Sequence, residues 1–125
     1  MENFSLYIHI PYCFSKCDYC DFFFFLSKKI DDKYIECLCN EIVYKSKKYK
    51  KSECNTIYIG GGTPSLLSST QLKKISDFIF TCFNISSNYE FTVELNPDDV
   101  SESLLKSLEY AKVNRLSLGL QSMSD

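Results

Sequence analysis

The chain carries no excess of charge of either sign. Fourteen Lys and Arg residues against sixteen Asp and Glu give a formal net charge of -2 over 125 residues, so no global field directs it toward nucleic acid or an acidic membrane. Long hydrophobic runs are missing too. The longest aromatic run, Phe22 to Phe25, is followed by a single leucine, far short of a membrane-spanning helix. The opening residues lack a basic segment followed by an apolar one, so no secretory signal is read and a cytoplasmic protein is expected. Repeats, low-complexity tracts and flexible linkers are also absent, and 125 residues with 45% hydrophobic and 24% charged content suit one globular domain with a moderate core.

Cysteine, by contrast, is plentiful. Seven are present, an odd number that full internal pairing cannot use; in a reducing compartment, clustered thiols more often hold metal. Three of them, Cys13, Cys17 and Cys20, fall in HIPYCFSKCDYCDF with spacing C-x3-C-x2-C. A structural zinc site wants four ligands, often as two separated pairs, and no second pair follows. Three thiolates in one loop can hold three irons of a four-iron cluster and leave the fourth open. The other four, Cys37, Cys39, Cys54 and Cys82, are read as small buried hydrophobes.

Four strand-like segments alternate with three helical ones. The strands are Leu6 to Ile10, Thr56 to Gly60, Glu90 to Leu95 and Arg115 to Leu120, each short and rich in β-branched, aromatic or leucine residues. One helix runs from Asp31 to about Lys48 with Tyr34, Leu38 and Ile42 on a stripe, and the lysine-rich stretch from Lys45 to Lys51 finishes it. A second uses Leu72, Ile75, Ile79, Cys82 and Phe83. The third uses Leu104, Leu105, Leu108 and Ala111, with Asp99 and Glu102 placed as a capping box. The β-α-β-α-β-α-β order implies a parallel sheet with right-handed crossovers.

Alternation separates two faces of that sheet. Leu6, Ile8, Ile10, Ile57, Ile59, Phe91, Val93, Leu95, Leu116, Leu118 and Leu120 share an apolar face; Tyr7, His9, Tyr58, Gly60, Thr92, Glu94, Asn96, Ser117, Gly119 and Gln121 share a small or polar one. A doubly wound sheet makes both faces apolar. A curved sheet with helices on one side does not, and its polar concave face and the loops after its strands would form the site. With nothing after the fourth strand, such a half barrel has an open edge, and the chain is expected to be part of a longer protein.

The segments YIHIPYCFSKCDYCDF, TIYIGGGTPSLLS, EFTVELNPDDVS and NRLSLGLQSMSD, in this order, resemble the radical S-adenosylmethionine superfamily, and within it the group of oxygen-independent coproporphyrinogen oxidase and the heme chaperone HemW. The resemblance covers essentially the whole chain and implies the N-terminal part of a radical SAM core domain over 1–125: an α/β partial (β/α)6 barrel with about four parallel strands and helices on the outer face. It implies that Cys13, Cys17 and Cys20 ligate a 4Fe-4S cluster whose open iron is chelated by S-adenosylmethionine. It places Tyr7 and Tyr19 beside the cofactor, Gly61, Gly62 and Thr63 at its methionine end, and Glu94 and Gln121 toward its ribose and carboxylate. Glycines admit close backbone approach and positive φ; no Gly-Lys-Ser/Thr follows them, which argues against a nucleotide P-loop. His9, on the same face, is as compatible with a supporting or proton-handling role as with a satisfied core group. The four phenylalanines are read as a shield for the cluster and as core packing, without a chemical role.

The implied reaction is one-electron reductive cleavage of S-adenosylmethionine to methionine and a 5'-deoxyadenosyl radical, fed by a flavodoxin or ferredoxin-like donor. The oxidase pattern carries a cysteine two residues after the third ligand, where this chain has Phe22, so the resemblance favours the chaperone branch, which binds heme and delivers it to respiratory heme-acceptor proteins. The HNxxYW motif of that branch's C-terminal region is not among these residues. Coproporphyrinogen oxidation in porphyrin biosynthesis, a non-catalytic cluster- or zinc-binding module, and a truncated product without a stable fold are the alternatives.

Overall fold

The structure, a computed structural model, describes residues 2–13, 25–26 and 29–119, with Cys13, Phe25 and Leu26 described by their backbone. Six strands and three α-helices appear among them: β1 (Asn3–Ile10), β2 (Tyr12–Cys13), β3 (Phe25–Leu26), α1 (Asp32–Ser46), β4 (Glu53–Gly61), α2 (Ser69–Cys82), β5 (Ile85–Leu95), α3 (Glu102–Tyr110) and β6 (Arg115–Leu118). The main sheet has the order β1-β4-β5-β6, and every pair in it is parallel. Successive strands lie side by side without reversal, so each crossover helix returns on the same side. β2 and β3 form a separate two-residue parallel pair at the cysteine loop, which periodicity did not foresee.

The apolar layer lies where alternation put it. Ile10, Ile57, Ile59 and Phe91 have no exposed surface, and Ile8, Val93 and Leu95 have almost none. They meet Ile35, Cys39 and Ile42 of α1, Leu72, Ile75 and Ile79 of α2 and Leu108 of α3 in one cluster. Burying each such side chain contributes about 1.5–3 kcal/mol. The layer thins at β6, where Leu116 and Leu118 are 38% and 53% exposed. The expectation of a uniformly covered apolar face is corrected there, because no described helix follows β6 to cover it.

Local chemistry sets the helix ends. Asp31 caps α1 by accepting from the Lys33 N–H. Ser68 and Gln71 form a reciprocal capping box on α2, and the Gln71 amide also donates to Ile30 O and Asp32 Oδ1, both at 2.8 Å, tying α1 to α2. The capping box foreseen at Asp99 and Glu102 is corrected. Val100 is extended, so α3 starts after Ser101, whose hydroxyl accepts from the Leu104 N–H; Asp99 instead accepts from the Ser65 hydroxyl at 2.6 Å. After α3, Lys112 takes a positive φ of 69°, and Asn114 exchanges two hydrogen bonds with Phe91 and donates a third to the Tyr89 carbonyl, which delivers the chain into β6.

Among the other cysteines, Cys39 and Cys54 are buried as expected and Cys82 is half-buried, but Cys37 is exposed. Two residues along a helix is a turn of about 200°, so Cys37 and Cys39 cannot share a face. For Cys37 the buried reading is therefore wrong.

Truncating Phe91 to Ala should cost about 3–5 kcal/mol in equilibrium denaturation, against about 0.5 kcal/mol for Leu118→Ala at the exposed margin. Equal losses at the two positions would contradict the one-sided core.

Candidate functional site at the rim of the polar face

Parallel register lines up the polar face strand by strand. Tyr7 pairs with Tyr58, and Tyr58 with Thr92, while His9 pairs with Gly60 and Glu94 with Ser117. The rim of this face is the end of β4 and the turn after it, Gly60 to Thr63, and two side chains lie against it. Glu94 spans to β4: its Oε1 accepts the Gly61 N–H at 3.1 Å and its Oε2 accepts the Tyr58 hydroxyl at 2.7 Å. His9 brings its Nδ1 within 3.1 Å of the Tyr7 hydroxyl.

The two glycines have separate physical causes. A Cβ on Gly60 would come within 2.7 Å of Glu94 Oε1 and 2.9 Å of the Tyr58 ring. Gly61 has a φ of +109°, and a Cβ there would meet the His9 ring and the Ile10 carbonyl at 2.7 Å. At Gly61 the positive φ and the fixed Ile10 carbonyl require glycine; at Gly60 the nearest atoms belong to side chains, so a Cβ there would displace the Glu94 carboxylate. Beyond them, the Gly62 N–H donates to Ile10 O and the Thr63 N–H to Tyr12 O, both at 2.6 Å. These bonds fasten the glycine turn to the start of the cysteine loop.

Aromatic groups wall the face. Tyr7, 57% exposed, stacks on Tyr58 at 5.9 Å and 22°. Tyr34 of α1 donates to the His9 carbonyl at 2.5 Å and meets the edge of Tyr12. Desolvation by burial raises the pKa of Tyr7, Tyr34 and Tyr58 above the ordinary 10.0, and Glu94 pushes Tyr7 and Tyr58 further the same way. All three remain neutral donors at physiological pH.

Of the residues singled out from sequence, Tyr7, His9, Gly61 and Glu94 are brought together, with Gly62 and Thr63 next along the turn. Cys13 sits at the start of the cysteine loop, its backbone paired with Leu26 in β2. Cys17, Cys20, Tyr19, Phe22 and Gln121 lie outside the described residues. Among the described residues, no group of three or more His, Cys, Asp or Glu could hold a metal ion. Tyr58 and Ser117 were not singled out, although alternation had placed both on the polar face; the signal was Tyr58's position two residues before the first glycine.

This fold and rim define the class of protein: the Radical SAM superfamily pattern matches residues 7–125, and the chain belongs to that superfamily, whose members generally hold a 4Fe-4S cluster and S-adenosylmethionine. More particularly, over 123 residues it is 46% identical to the heme chaperone HemW of Bacillus subtilis (strain 168), a match covering 97% of this chain and 32% of that protein. It is 39% identical over 123 residues to the heme chaperone HemW of Escherichia coli (strain K12), covering 97% and 32%. A third relative, the mitochondrial radical S-adenosyl methionine domain-containing protein 1 of Danio rerio, is 36% identical over 121 residues, covering 96% and 27%. Among solved structures, coproporphyrinogen III oxidase (HemN) from Escherichia coli, a radical SAM enzyme, is similar with a TM-score of 0.88 at 27% identity, covering 98% of this chain and 29% of that one. The four parallel strands and their helices thus match a fragment of a radical SAM barrel, and the chain spans about a third of the length of the curated relatives it matches. No helix of the described residues is long and apolar enough to cross a membrane.

The raised tyrosines make a pH prediction. A group that holds its proton more tightly when folded stabilises the fold fully below its unfolded value, and that stability is lost as pH rises through the folded value. Denaturation midpoints should therefore fall as pH climbs past 10.0, the ordinary tyrosine value, and Tyr58→Phe should flatten part of that fall. An alkaline limb of the same slope in Tyr58→Phe would contradict the assignment.

Proposed function

We propose that the chain forms the N-terminal part of a radical SAM core of the heme-chaperone kind, binding S-adenosylmethionine on its polar face next to a 4Fe-4S cluster held by Cys13, Cys17 and Cys20. The observation that carries this reading is the rim itself. Gly60 and Gly61 let two polar side chains close onto the strand end, Glu94 over one and His9 over the other, where a Cβ would collide with them. A small zwitterionic ligand with polar ends suits such a surface, and the loop bearing Cys13 is fastened to it through Thr63 and Tyr12.

When bound, the cluster and S-adenosylmethionine supply one-electron cleavage of a carbon–sulfur bond; the chain's own residues position and seclude them. The N–H groups of Gly61, Gly62 and Thr63 are already given to Glu94, Ile10 and Tyr12. The Thr63 carbonyl in turn accepts from the Leu66 N–H, so the turn offers a ligand acceptors rather than N–H donors, the Thr63 hydroxyl first among them, which matches the ammonium of an amino acid. Glu94 keeps acceptor capacity on both oxygens and suits hydroxyl or N–H donors. Tyr7 offers a neutral, exposed ring beside the site, Tyr19 and Gln121 complete the cofactor contacts, and His9 supports Tyr7 or handles a proton there.

Heme binding extends the reading from the names of the HemW relatives, and we propose with it delivery to heme-acceptor proteins and electrons from a flavodoxin or ferredoxin-like donor. The similarity to HemN favours a second reading, coproporphyrinogen oxidation, against which Phe22 stands where the oxidase pattern has cysteine. Binding of heme without turnover of coproporphyrinogen separates the two.

Anaerobic reconstitution with iron and sulfide should give cluster absorbance, and reductant with S-adenosylmethionine should then release 5'-deoxyadenosine. Cys13→Ala, Cys17→Ala and Cys20→Ala should each abolish the absorbance. A chain that takes up zinc but never iron and sulfide would end the radical reading.

A further inference from the structure

We propose that Tyr58 is a positioning residue for S-adenosylmethionine binding, holding the Glu94 carboxylate in a single orientation across the polar face. The inference rests on the cofactor reading above and goes beyond it, because Tyr58 belongs to no motif that points to the cofactor. Its ring stands on the central strand β4, between Tyr7 of β1 and Thr92 of β5.

A glutamate side chain ends in a broad, roughly two-fold torsion, and one hydrogen bond leaves its second oxygen free to swing. Here both oxygens are held. The Gly61 N–H fixes Oε1 from the rim and the Tyr58 hydroxyl fixes Oε2 from below. Gly60, directly beneath, leaves no more room than this orientation needs, since a Cβ there would already be 2.7 Å from Oε1. Tyr58 is itself held by its stacking on Tyr7. Its raised pKa keeps it a donor through the physiological range. The chain of contacts therefore runs from Tyr7 of β1 through Tyr58 of β4 to Glu94 of β5, and its output is the direction of the lone pairs that Glu94 offers to a ligand. Preorganising an acceptor in this way strengthens binding by removing the ordering cost from the bound state.

Substituting Tyr58 by Phe keeps the ring and its packing and removes only the donor. The test is calorimetric titration of S-adenosylmethionine, without reductant, into the cluster-loaded chain and into its Tyr58→Phe, Glu94→Ala and doubly substituted forms. Tyr58→Phe should bind about tenfold more weakly, because the cost of ordering Glu94 returns to the binding step, and should melt several degrees lower from loss of one hydrogen bond to a charged group. In the Glu94→Ala background the same change should add nothing, because the group that Tyr58 positions is gone. A packing role would weaken binding equally in both backgrounds, and that result would overturn the inference. Unchanged affinity in Tyr58→Phe, with the unsubstituted chain binding normally, would overturn it too and leave the cofactor reading standing. Failure of the unsubstituted, cluster-loaded chain to bind S-adenosylmethionine would remove the cofactor reading and this inference together.

Discussion

Strand register is the constraint on which the rest depends. Side chains alternate along each strand, so a slip of one residue in β5 would drive Glu94 into the layer of Ile57 and Ile59 and turn Val93 out to the polar face. The observed pairing of Ile59 with Val93, and of Glu94 with Ser117, prevents this because the isoleucine, phenylalanine and valine layer can be buried in only one register. Hydrophobic burial on the convex side thereby sets polar geometry on the concave side. The polar face is positioned by side chains that point away from it.

Close packing then makes glycine obligatory at Gly61, and ties Gly60 to the seat of Glu94, before any ligand arrives. Gly60 is small because Glu94 lies over it, and Gly61 is left-handed and small because His9 and the Ile10 carbonyl lie over it. The same turn spends its N–H groups on neighbouring strands and on Glu94, which leaves a rim rich in acceptors. On the outer side, Gln71 does comparable structural work in one residue, completing a capping box and joining α2 to the start of α1.

Much of this was legible in the residues. Alternation alone separated the Ile8–Ile10 and Ile57–Ile59 face from the Tyr7, His9, Gly60 and Glu94 face, since period-two patterning directly reflects which side is buried. Strand ends were less legible: β4 begins at Glu53 and β5 at Ile85, earlier than composition suggests, because pairing with a neighbour extends a strand into polar sequence. The Asp99 and Glu102 pattern misled because one extended residue, Val100, moves the cap to Ser101. Cys37 misled because cysteine composition does not say which face of a helix is wet. The bond from Tyr58 to Glu94 joins residues far apart in sequence, and no local signal states it. The cluster cysteines were legible through motif and resemblance, and of these the described residues include the backbone of Cys13.

The central claim is that the glycine rim and the adjoining end of β5 receive S-adenosylmethionine. Hydrogen exchange on the cluster-loaded chain, with and without S-adenosylmethionine and without reductant, tests it most directly. The account predicts slowed exchange at Gly61 to Thr63 and around Glu94, with the outer surfaces of α1, α2 and α3 unchanged. Slowing confined to those helices, or none at the rim when the cofactor is saturating, would contradict it.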